Sequence, residues 1–232
     1  VWVAPANEPG RAHAVTRDKG RGIRRYFWSH KADTLLYLRD SGGDEDFHLF
    51  SLDLVSEKAI DLTPFPKTTA KVISVSHVHP DSILVGMNDR DARWHDLYRV
   101  DLASGRRTLL QKNEQQIADY LADDEFNLRY ATRSRSDGGQ VILQSDGKNK
   151  WKPYDEIPFE DFLSTQPLGL NGGGNILYMV DSRGRDTAAL YAIDTRSGRK
   201  KPLLEDPRAD LGGASPSGTH FRVADDPSDR SI

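Results

Sequence analysis

Cysteine is absent from the 232-residue sequence, so the chain has no disulfide, no thiol nucleophile and no thiolate ligand for a metal. We expect a cytoplasmic protein on this ground, although secreted and periplasmic folds without disulfides share the feature. Long apolar runs are also missing, since no stretch approaches the roughly 20 residues that cross a bilayer, and residues 1–20 lack the pattern of a signal peptide. We therefore expect no membrane partner. The alternating apolar start, VWVAPA, is expected to come from the interior of a longer chain.

A surplus of charge of either sign is lacking as well. Charged residues make up 29% of the sequence, the net charge is -3, and both signs are interspersed. A basic stripe is the usual footprint of a protein that binds nucleic acid, so we expect no nucleic-acid partner. The length allows one large domain or two small ones, and it suffices for a substantial core.

What the sequence does have is an internal repeat. Residues 88–110, NDRDARWHDLYRVDLASGRRTLL, align without a gap with residues 40–62 and with residues 181–203. Each copy contains a charged loop, a strand, a tight turn and a further strand, and the whole unit holds four short strands in 45 to 48 residues. Four antiparallel strands at this period are typical of a β-propeller blade. We therefore predict an all-β propeller.

The repeat divides the chain into four full blades and two half-blades, about five blades' worth of strands. The N-terminal half-blade follows from spacing, because Thr16 precedes Thr63 by 47 residues. Strands near 211–214 and at 220–225 would form a C-terminal half-blade, and residues 158–163, PFEDFL, predict one helical turn. The predicted bounds are 1–21 for the first half-blade, about 22–66, 69–113, 114–158 and 164–206 for the full blades, and 207–232 for the last half-blade.

The repeat also predicts which residues are structural. Asp53, Asp101 and Asp194 recur at the end of the third strand. An aspartate there can accept hydrogen bonds from the backbone two residues on, and a following glycine supplies the positive φ of a bulged hairpin. A catalytic aspartate need not occur once in each blade, so these three are predicted to be structural. Strand alternation predicts a core between the blades that contains Leu36, Leu49, Phe50, Leu84, Leu97, Tyr98, Leu177, Leu190 and Tyr191.

Common catalytic and metal-binding motifs are missing. No Gly-x-Ser-x-Gly string is present, so we predict no serine nucleophile and no catalytic residue. Residues 172–174, three glycines, lack the spacing of a phosphate loop and predict a turn. His77 and His79 would share one face of a regular strand but have no third ligand nearby in sequence. The acidic residues in 40–46 lack the ligand spacing of a calcium loop. We predict no metal and no cofactor.

The connections between the second and third strands are the best candidates for recognition. DSGGDED, NDRDARWHD and DSRGRD are long, charged and equivalent in the repeat, so they are predicted to be loops at the same end of their blades. Loops at one end of a rigid scaffold are where such folds usually bind. The candidate contacts to a substrate or partner are Asp89, Arg90, Asp91, Arg93, Trp94, His95, Arg183, Arg185 and Asp186.

Several segments carry a family resemblance. They are GIRRYFWS at 22–29, FHLFSLDL at 47–54, LTPF at 62–65, the 88–110 segment and DSRGRDTAALYAID at 181–194. Together they resemble the N-terminal propeller of prolyl oligopeptidase family serine peptidases, above all the acylaminoacyl-peptidase and dipeptidyl-aminopeptidase-like members.

The resemblance implies a propeller that restricts the access of small peptides to an α/β-hydrolase domain with a Ser-Asp-His triad. No triad residue has a match in this sequence. The chain is therefore expected to be the non-catalytic portion of a serine peptidase, with the hydrolase domain of the same protein and a peptide substrate as its partners.

A stand-alone propeller of the TolB or YncE type, binding a protein or small molecule through its loops, is the alternative. Two complementary half-blades favour it, because strands from the two termini would pair and remove exposed sheet edges. The family's propellers usually have seven or eight blades, against about five here. A reading frame that continues into a hydrolase domain would distinguish the two hypotheses.

Overall fold

The computed structural model describes residues 1–18, 22–23, 25–147 and 150–211. The chain divides into two compact units, Val1–Asn113 and Glu114–Ile232, called here the N-terminal and C-terminal units. Most of the predicted C-terminal half-blade, residues 212–232, lies outside the described residues. Within those residues, no helix has the length and apolar character to span a membrane.

The N-terminal unit contains a hairpin and two four-stranded antiparallel sheets, in which the strand order follows the chain. The hairpin pairs β1 (Trp2–Val3) with β2 (His13–Ala14), and a 3-10 turn at Pro9–Arg11 connects them. The first blade consists of β3 (Arg25–Trp28), β4 (Thr34–Arg39), β5 (His48–Asp53) and β6 (Lys58–Asp61). The second blade consists of β7 (Ala70–Val75), β8 (Ser82–Asp91), β9 (Trp94–Asp101) and β10 (Arg107–Gln111).

The C-terminal unit contains two more sheets of the same kind. The third blade consists of β11 (Asp119–Ala122), β12 (Leu128–Ser134), β13 (Gln140–Ser145) and β14 (Trp151–Ile157). The fourth blade consists of β15 (Gln166–Leu170), β16 (Ile176–Asp181), β17 (Ala189–Asp194) and β18 (Lys200–Leu204). The predicted helical turn is a 3-10 helix at Phe159–Asp161. Four meandering four-stranded sheets confirm the predicted β-propeller fold class.

His77 and His79 do not share a strand face, because the condition of a regular strand is not met. The strand β7 ends at Val75, short of the predicted end at His77, and both histidines lie in the bend that follows. The Ser76 hydroxyl stops the strand, because it accepts hydrogen bonds from the backbone N–H groups of Val78 at 3.0 Å and of His79 at 3.3 Å.

The core of the N-terminal unit lies between its two blades. Leu36 and Leu49 of the first blade belong to one buried cluster with Ile83, Val85 and Val100 of the second. Alternation along each strand sends every second side chain toward the neighbouring blade, so one blade buries a face that it could not cover alone.

Six of the nine predicted core residues are buried, as predicted: Leu36, Leu49, Leu84, Leu97, Tyr98 and Leu177. The prediction is wrong for Phe50, Leu190 and Tyr191, which are half-buried. The cationic groups of Arg39 and Lys200 lie 4.5 Å and 3.8 Å from the ring centroids of Phe50 and Tyr191. These two rings are therefore covered in part by charged side chains that reach water.

The three repeating aspartates have the structural role predicted for them. Each carboxylate accepts hydrogen bonds from the backbone N–H and the hydroxyl of a serine three residues on, namely Ser56, Ser104 and Ser197. These bonds hold the pKa of each aspartate below its usual value. The turns continue through Gly105 and Gly198, whose φ angles of 69° and 70° are in the left-handed region.

Candidate functional site

The connection between β8 and β9 is an extended hairpin, and its prediction as a loop is wrong. Asp91 pairs with Trp94 across a two-residue turn. The turn is fixed by Arg93, whose backbone N–H, Nε and Nη2 donate to the Asp91 carboxylate at 3.0, 3.1 and 3.0 Å. These bonds lower the pKa of Asp91 to about 2. The Arg93 side chain is 78% exposed, so it projects from the tip.

Arg90 lies at the base of this hairpin, where its guanidinium donates three hydrogen bonds. Its Nε and Nη2 donate to the two oxygens of Asp96, each at 2.7 Å, and Nη2 also donates to the Asn113 carbonyl at 3.1 Å. The Asn113 backbone N–H donates to Asp96 at 2.7 Å. Burial works to raise the pKa of Asp96, but the bonds from Arg90 and Asn113 hold it below its usual value. Arg90 therefore anchors the hairpin to the end of the blade.

Asp89 also forms its hydrogen bonds within the blade. Its carboxylate accepts hydrogen bonds from Arg107 Nη1 at 2.7 Å and from the Tyr98 hydroxyl at 3.2 Å. The Arg107 guanidinium lies 3.9 Å from the ring centroid of Phe65 and 4.8 Å from that of Tyr98. Trp94 and His95 are half-buried at the start of β9. Of the candidates in this hairpin, Arg93 is the one with a largely exposed side chain.

In the C-terminal unit, Arg183 is held between two carboxylates. Its Nε and Nη2 donate to Asp181 at 2.9 and 2.7 Å, and its Nη1 and Nη2 donate to Asp155 at 2.9 and 2.8 Å. Nη1 also donates to the Glu156 carbonyl at 2.9 Å, and Lys200 forms an ion pair with Asp181. Bonds to Asp181 and Asp155 raise the pKa of Arg183. Burial works to raise the pKa of Asp181, but its bonds to Arg183 and Lys200 lower it far below the usual range.

The same connection carries the other two candidates. Arg185 Nη2 donates to Glu205 at 2.6 Å, and its Nε donates to the Thr187 carbonyl at 3.2 Å. Arg185 and Asp186 are both exposed. The structure therefore separates the candidates by their partners: Arg90, Asp89 and Arg183 hold the connections in place within the blades, Arg185 pairs with exposed Glu205, and Arg93 and Asp186 face solvent.

Three carboxylates that hold these connections, Asp96, Asp155 and Asp181, are missing from the predicted site residues. The repeat could have identified Asp181, because it aligns with the polar residues Asp40 and Asn88 in the other copies. A polar residue that recurs at one position of every copy indicates a structural role. Asp96 lacks that signal, since neither of its repeat equivalents is acidic.

One pair of histidines bears on the prediction that no metal is bound. The His30 and His77 rings meet edge to face, with their centroids 6.0 Å apart. Within the described ranges, no group of three or more histidine, aspartate or glutamate side chains is placed to hold a metal ion. The structure thus offers no assembled set of ligands there, and the candidate chemistry is that of charged loops.

The lowered carboxylate pKa values predict an acid-sensitive fold. The pKa of Asp181 is lower in the folded chain than in the unfolded one, so its contribution to stability is present above about pH 4 and is lost as the pH falls. We expect Asp181→Asn to be less stable than the parent at pH 6 and to approach it near pH 2. Urea unfolding from pH 2 to 6 measures the difference, and a constant difference across that range would contradict the assignment.

The chain is similar to curated proteins, although no family model matches it. Over 213 residues it is 62% identical to dipeptidyl aminopeptidase BIII of Pseudoxanthomonas mexicana, a match that covers 92% of this chain and 31% of the relative. It is also 22% identical over 205 residues to dipeptidyl peptidase family member 6 of Caenorhabditis elegans, covering 82% of this chain and 27% of that protein. The chain spans less than a third of the length of either relative.

Solved structures share the fold at low identity. A puromycin hydrolase mutant superposes with a TM-score of 0.57 at 14% identity, over 83% of this chain and 30% of that one. A structure from a study of two prolyl endopeptidases gives 0.51 at 13%, over 79% and 29%. TolB from Acinetobacter baumannii gives 0.55 at 15%, over 83% and 46%. These similarities show a common propeller fold.

Proposed function

We propose that this chain, which belongs to the prolyl oligopeptidase family and corresponds to its propeller, is the non-catalytic part of a serine peptidase. We further propose that it controls the access of small peptides. The observation that carries this proposal is the 62% identity over 213 residues with a dipeptidyl aminopeptidase. The partners are then an α/β-hydrolase domain of the same polypeptide and a peptide substrate. Both curated relatives are named as peptidases, which favours this function over a stand-alone scaffold.

The exposed charges suggest how the propeller acts on a substrate. Arg93 and Arg185 lie in the connections between the second and third strands of their blades, and both are exposed. Exposed guanidinium groups attract the carboxylate of an approaching peptide and offer it paired donors. Arg90 and Arg183 are already committed to buried carboxylates, so they position these connections and are poor choices for testing substrate contact.

Charge reversal in the full-length protein tests this role. We expect Arg93→Glu and Arg185→Glu to lower kcat/KM for short peptides with a free C-terminal carboxylate by about three- to tenfold, mainly through KM, because the substrate's carboxylate end meets a repulsive charge. The effect should shrink in high salt, since exposed charges are screened. Residues 1–232 alone should not cleave these substrates.

Two arginines at the opposite ends of the same blades provide matched controls. Arg106 and Arg196 are exposed and lie in the turns between the third and fourth strands. Their change to glutamate alters the net charge equally but leaves the second-to-third connections untouched, so KM should not change. If the Arg106 and Arg196 changes raise KM as much as the Arg93 and Arg185 changes do, net charge explains the effect. If Arg93→Glu and Arg185→Glu leave KM unchanged, the proposed contact is rejected.

A further inference from the structure

Two turns in the N-terminal unit begin with the same dipeptide, Ser-His. Residues 29–33 join the first two strands of the first blade, and residues 76–81 join the equivalent strands of the second. His30 and His77 are 47 residues apart, which is a spacing of the repeat. The two histidines therefore occupy equivalent places on neighbouring blades.

A serine hydroxyl shapes the backbone that carries each of these histidines. Ser29 Oγ accepts a hydrogen bond from the Lys31 N–H at 3.1 Å, and Ser76 Oγ accepts one from the Val78 N–H at 3.0 Å. Such bonds from a side chain to the backbone two residues on hold a turn in one conformation. Each imidazole is thus attached to an ordered turn.

The two turns face each other across the seam between the blades. The ring centroids of His30 and His77 are 6.0 Å apart, with an angle of 70° between the ring planes. In the same place, Lys31 Nζ lies 2.9 Å from the Asp81 carboxylate. The sequence offered His77 no ligand partner nearby except His79, whereas the fold supplies a second imidazole from the preceding blade.

The spacing of the two rings suits a single metal ion between them. Zn–N bonds of about 2.0–2.1 Å place the centroids of two imidazoles that share one ion roughly 5–6.5 Å apart. The observed 6.0 Å lies within that range. The rings now meet edge to face, but both side chains are exposed and the χ2 torsion of histidine is broad. Rotation about χ2 therefore turns a nitrogen of each ring toward the gap.

The charge around the pair also favours a cation. The Lys31 ammonium pairs with Asp81 and also acts electrostatically on Asp53 and Asp101, which end the third strands of the two blades. Three carboxylates thus surround one ammonium group, and the local excess of negative charge raises the concentration of cations there.

We propose that His30 and His77 together bind an exchangeable divalent transition-metal ion of the Zn²⁺ class, with water in its remaining positions. Imidazole is a preferred ligand of Zn²⁺, Cu²⁺ and Ni²⁺. A resident zinc site has three or four protein ligands, and no such group is assembled within the described ranges. Two imidazoles make a weaker site, which fills and empties as the ion concentration changes. The proposal does not depend on the peptidase assignment.

A bound ion would tie the first blade to the second. The Lys31–Asp81 ion pair joins the same two turns, but both side chains are partly or largely exposed, so it contributes little by itself. Coordination through both rings adds a link that depends on the metal. The ion is therefore expected to act as a reversible clamp on this seam.

Chemical modification of the full-length protein tests the site without any substitution. Diethyl pyrocarbonate acylates accessible imidazole nitrogens, and a coordinated metal lowers that reactivity by withdrawing electron density from the ring. A Zn²⁺ titration followed by peptide mass spectrometry should slow the modification of His30 and His77 with one common midpoint. At ten times that midpoint the rates should be about tenfold lower, because about a tenth of the sites remain free.

Two controls separate coordination from charge attraction and from general effects of zinc. His13 is exposed in the N-terminal hairpin, away from this seam, and should be modified at an unchanged rate. Mg²⁺ prefers oxygen ligands and should protect neither His30 nor His77. Equal protection by Mg²⁺ would overturn the proposal, as would two rings that zinc does not protect or that the reagent cannot reach in the absence of zinc.

Single substitutions show whether one ion is shared. His30→Ala should abolish the zinc protection of His77, and His77→Ala should abolish that of His30, whereas His13→Ala should change neither. Both histidines of the pair are exposed, so the variants should fold as the parent does. Protection of one ring that survives the loss of the other would overturn the shared site.

Hydrogen exchange measures the proposed clamp. The Ser29 and Ser82 N–H groups each donate a backbone bond of 3.1 Å that closes its turn. Zinc should slow exchange at both groups in the parent and at neither in His30→Ala. The equivalent turns of the third and fourth blades, residues 123–127 and 171–175, contain no histidine and should be unaffected. Exchange at Ser29 and Ser82 that zinc leaves unchanged would reject the clamp.

Discussion

Replacing Arg90 with methionine should lower the free energy of unfolding by about 1–3 kcal/mol, the cost of leaving a buried polar group without a partner, because Asp96 is buried although the Arg90 side chain is 37% exposed. Asp96 is 1% exposed and would keep the Asn113 N–H as a donor, but it would lose both bonds from the guanidinium. A buried carboxylate without its counter-charge is costly. Urea unfolding at neutral pH measures the loss.

The tip of the same hairpin contains a matched pair for comparison. Arg93 and Asp91 form an exposed ion pair, so Arg93→Met should leave the stability unchanged within error. Replacing both members of the Arg90–Asp96 pair, Arg90→Met with Asp96→Leu, should recover part of the loss, because no buried carboxylate then remains. Equal losses for Arg90→Met and Arg93→Met would show that Arg90 does not anchor the hairpin.

Alanine at Gly139 should lower the free energy of unfolding by about 2–3 kcal/mol, as expected when an added group meets a packed backbone. A Cβ at this position would lie 2.5 Å from the Ile157 carbonyl oxygen and 3.3 Å from the Phe159 nitrogen. Both atoms belong to the main chain, so the clash is relieved only if β13 or the segment after β14 moves. Urea unfolding measures the loss here too.

A second glycine in the same unit provides the control. A Cβ at Gly169, on β15, meets nothing within 4 Å, and its φ is not in the left-handed region. Gly169→Ala should therefore be neutral or slightly stabilising, because alanine restricts the unfolded chain more than glycine does. A Gly139→Ala protein as stable as Gly169→Ala would show that the turn before β13 adjusts freely.

The blades were predictable from the sequence because their signals recur. The aspartate at the end of the third strand and the turn after it appear in three copies, and a feature that recurs at one spacing is a property of the fold. Strand β11 (Asp119–Ala122) was not among the segments that the repeat picks out, since ADYLA is short and offers little alternation. Local signals of that length are too weak to set a strand boundary.

The candidate site was less predictable because ion pairs depend on contacts that the repeat does not encode. Arg90 and Arg93 look alike in the sequence, three residues apart in one charged segment. Strand geometry sends Arg90 to buried Asp96 and leaves Arg93 at the tip. Arg183 donates a hydrogen bond to Asp155, which lies 28 residues earlier in the sequence and in a different sheet. Spacing alone therefore identifies the charged segments but not which of their residues are free to bind.

Arg183 also restricts how this molecule can move. Its five side-chain hydrogen bonds join Asp155 and Glu156 of the third blade to Asp181 of the fourth. A propeller that admits a ligand by parting two neighbouring blades must first break whatever bridges them, and five charge-assisted bonds make a strong bridge. These bonds tie the third and fourth blades together at this end, so we expect blade separation, where it occurs, to use a different seam.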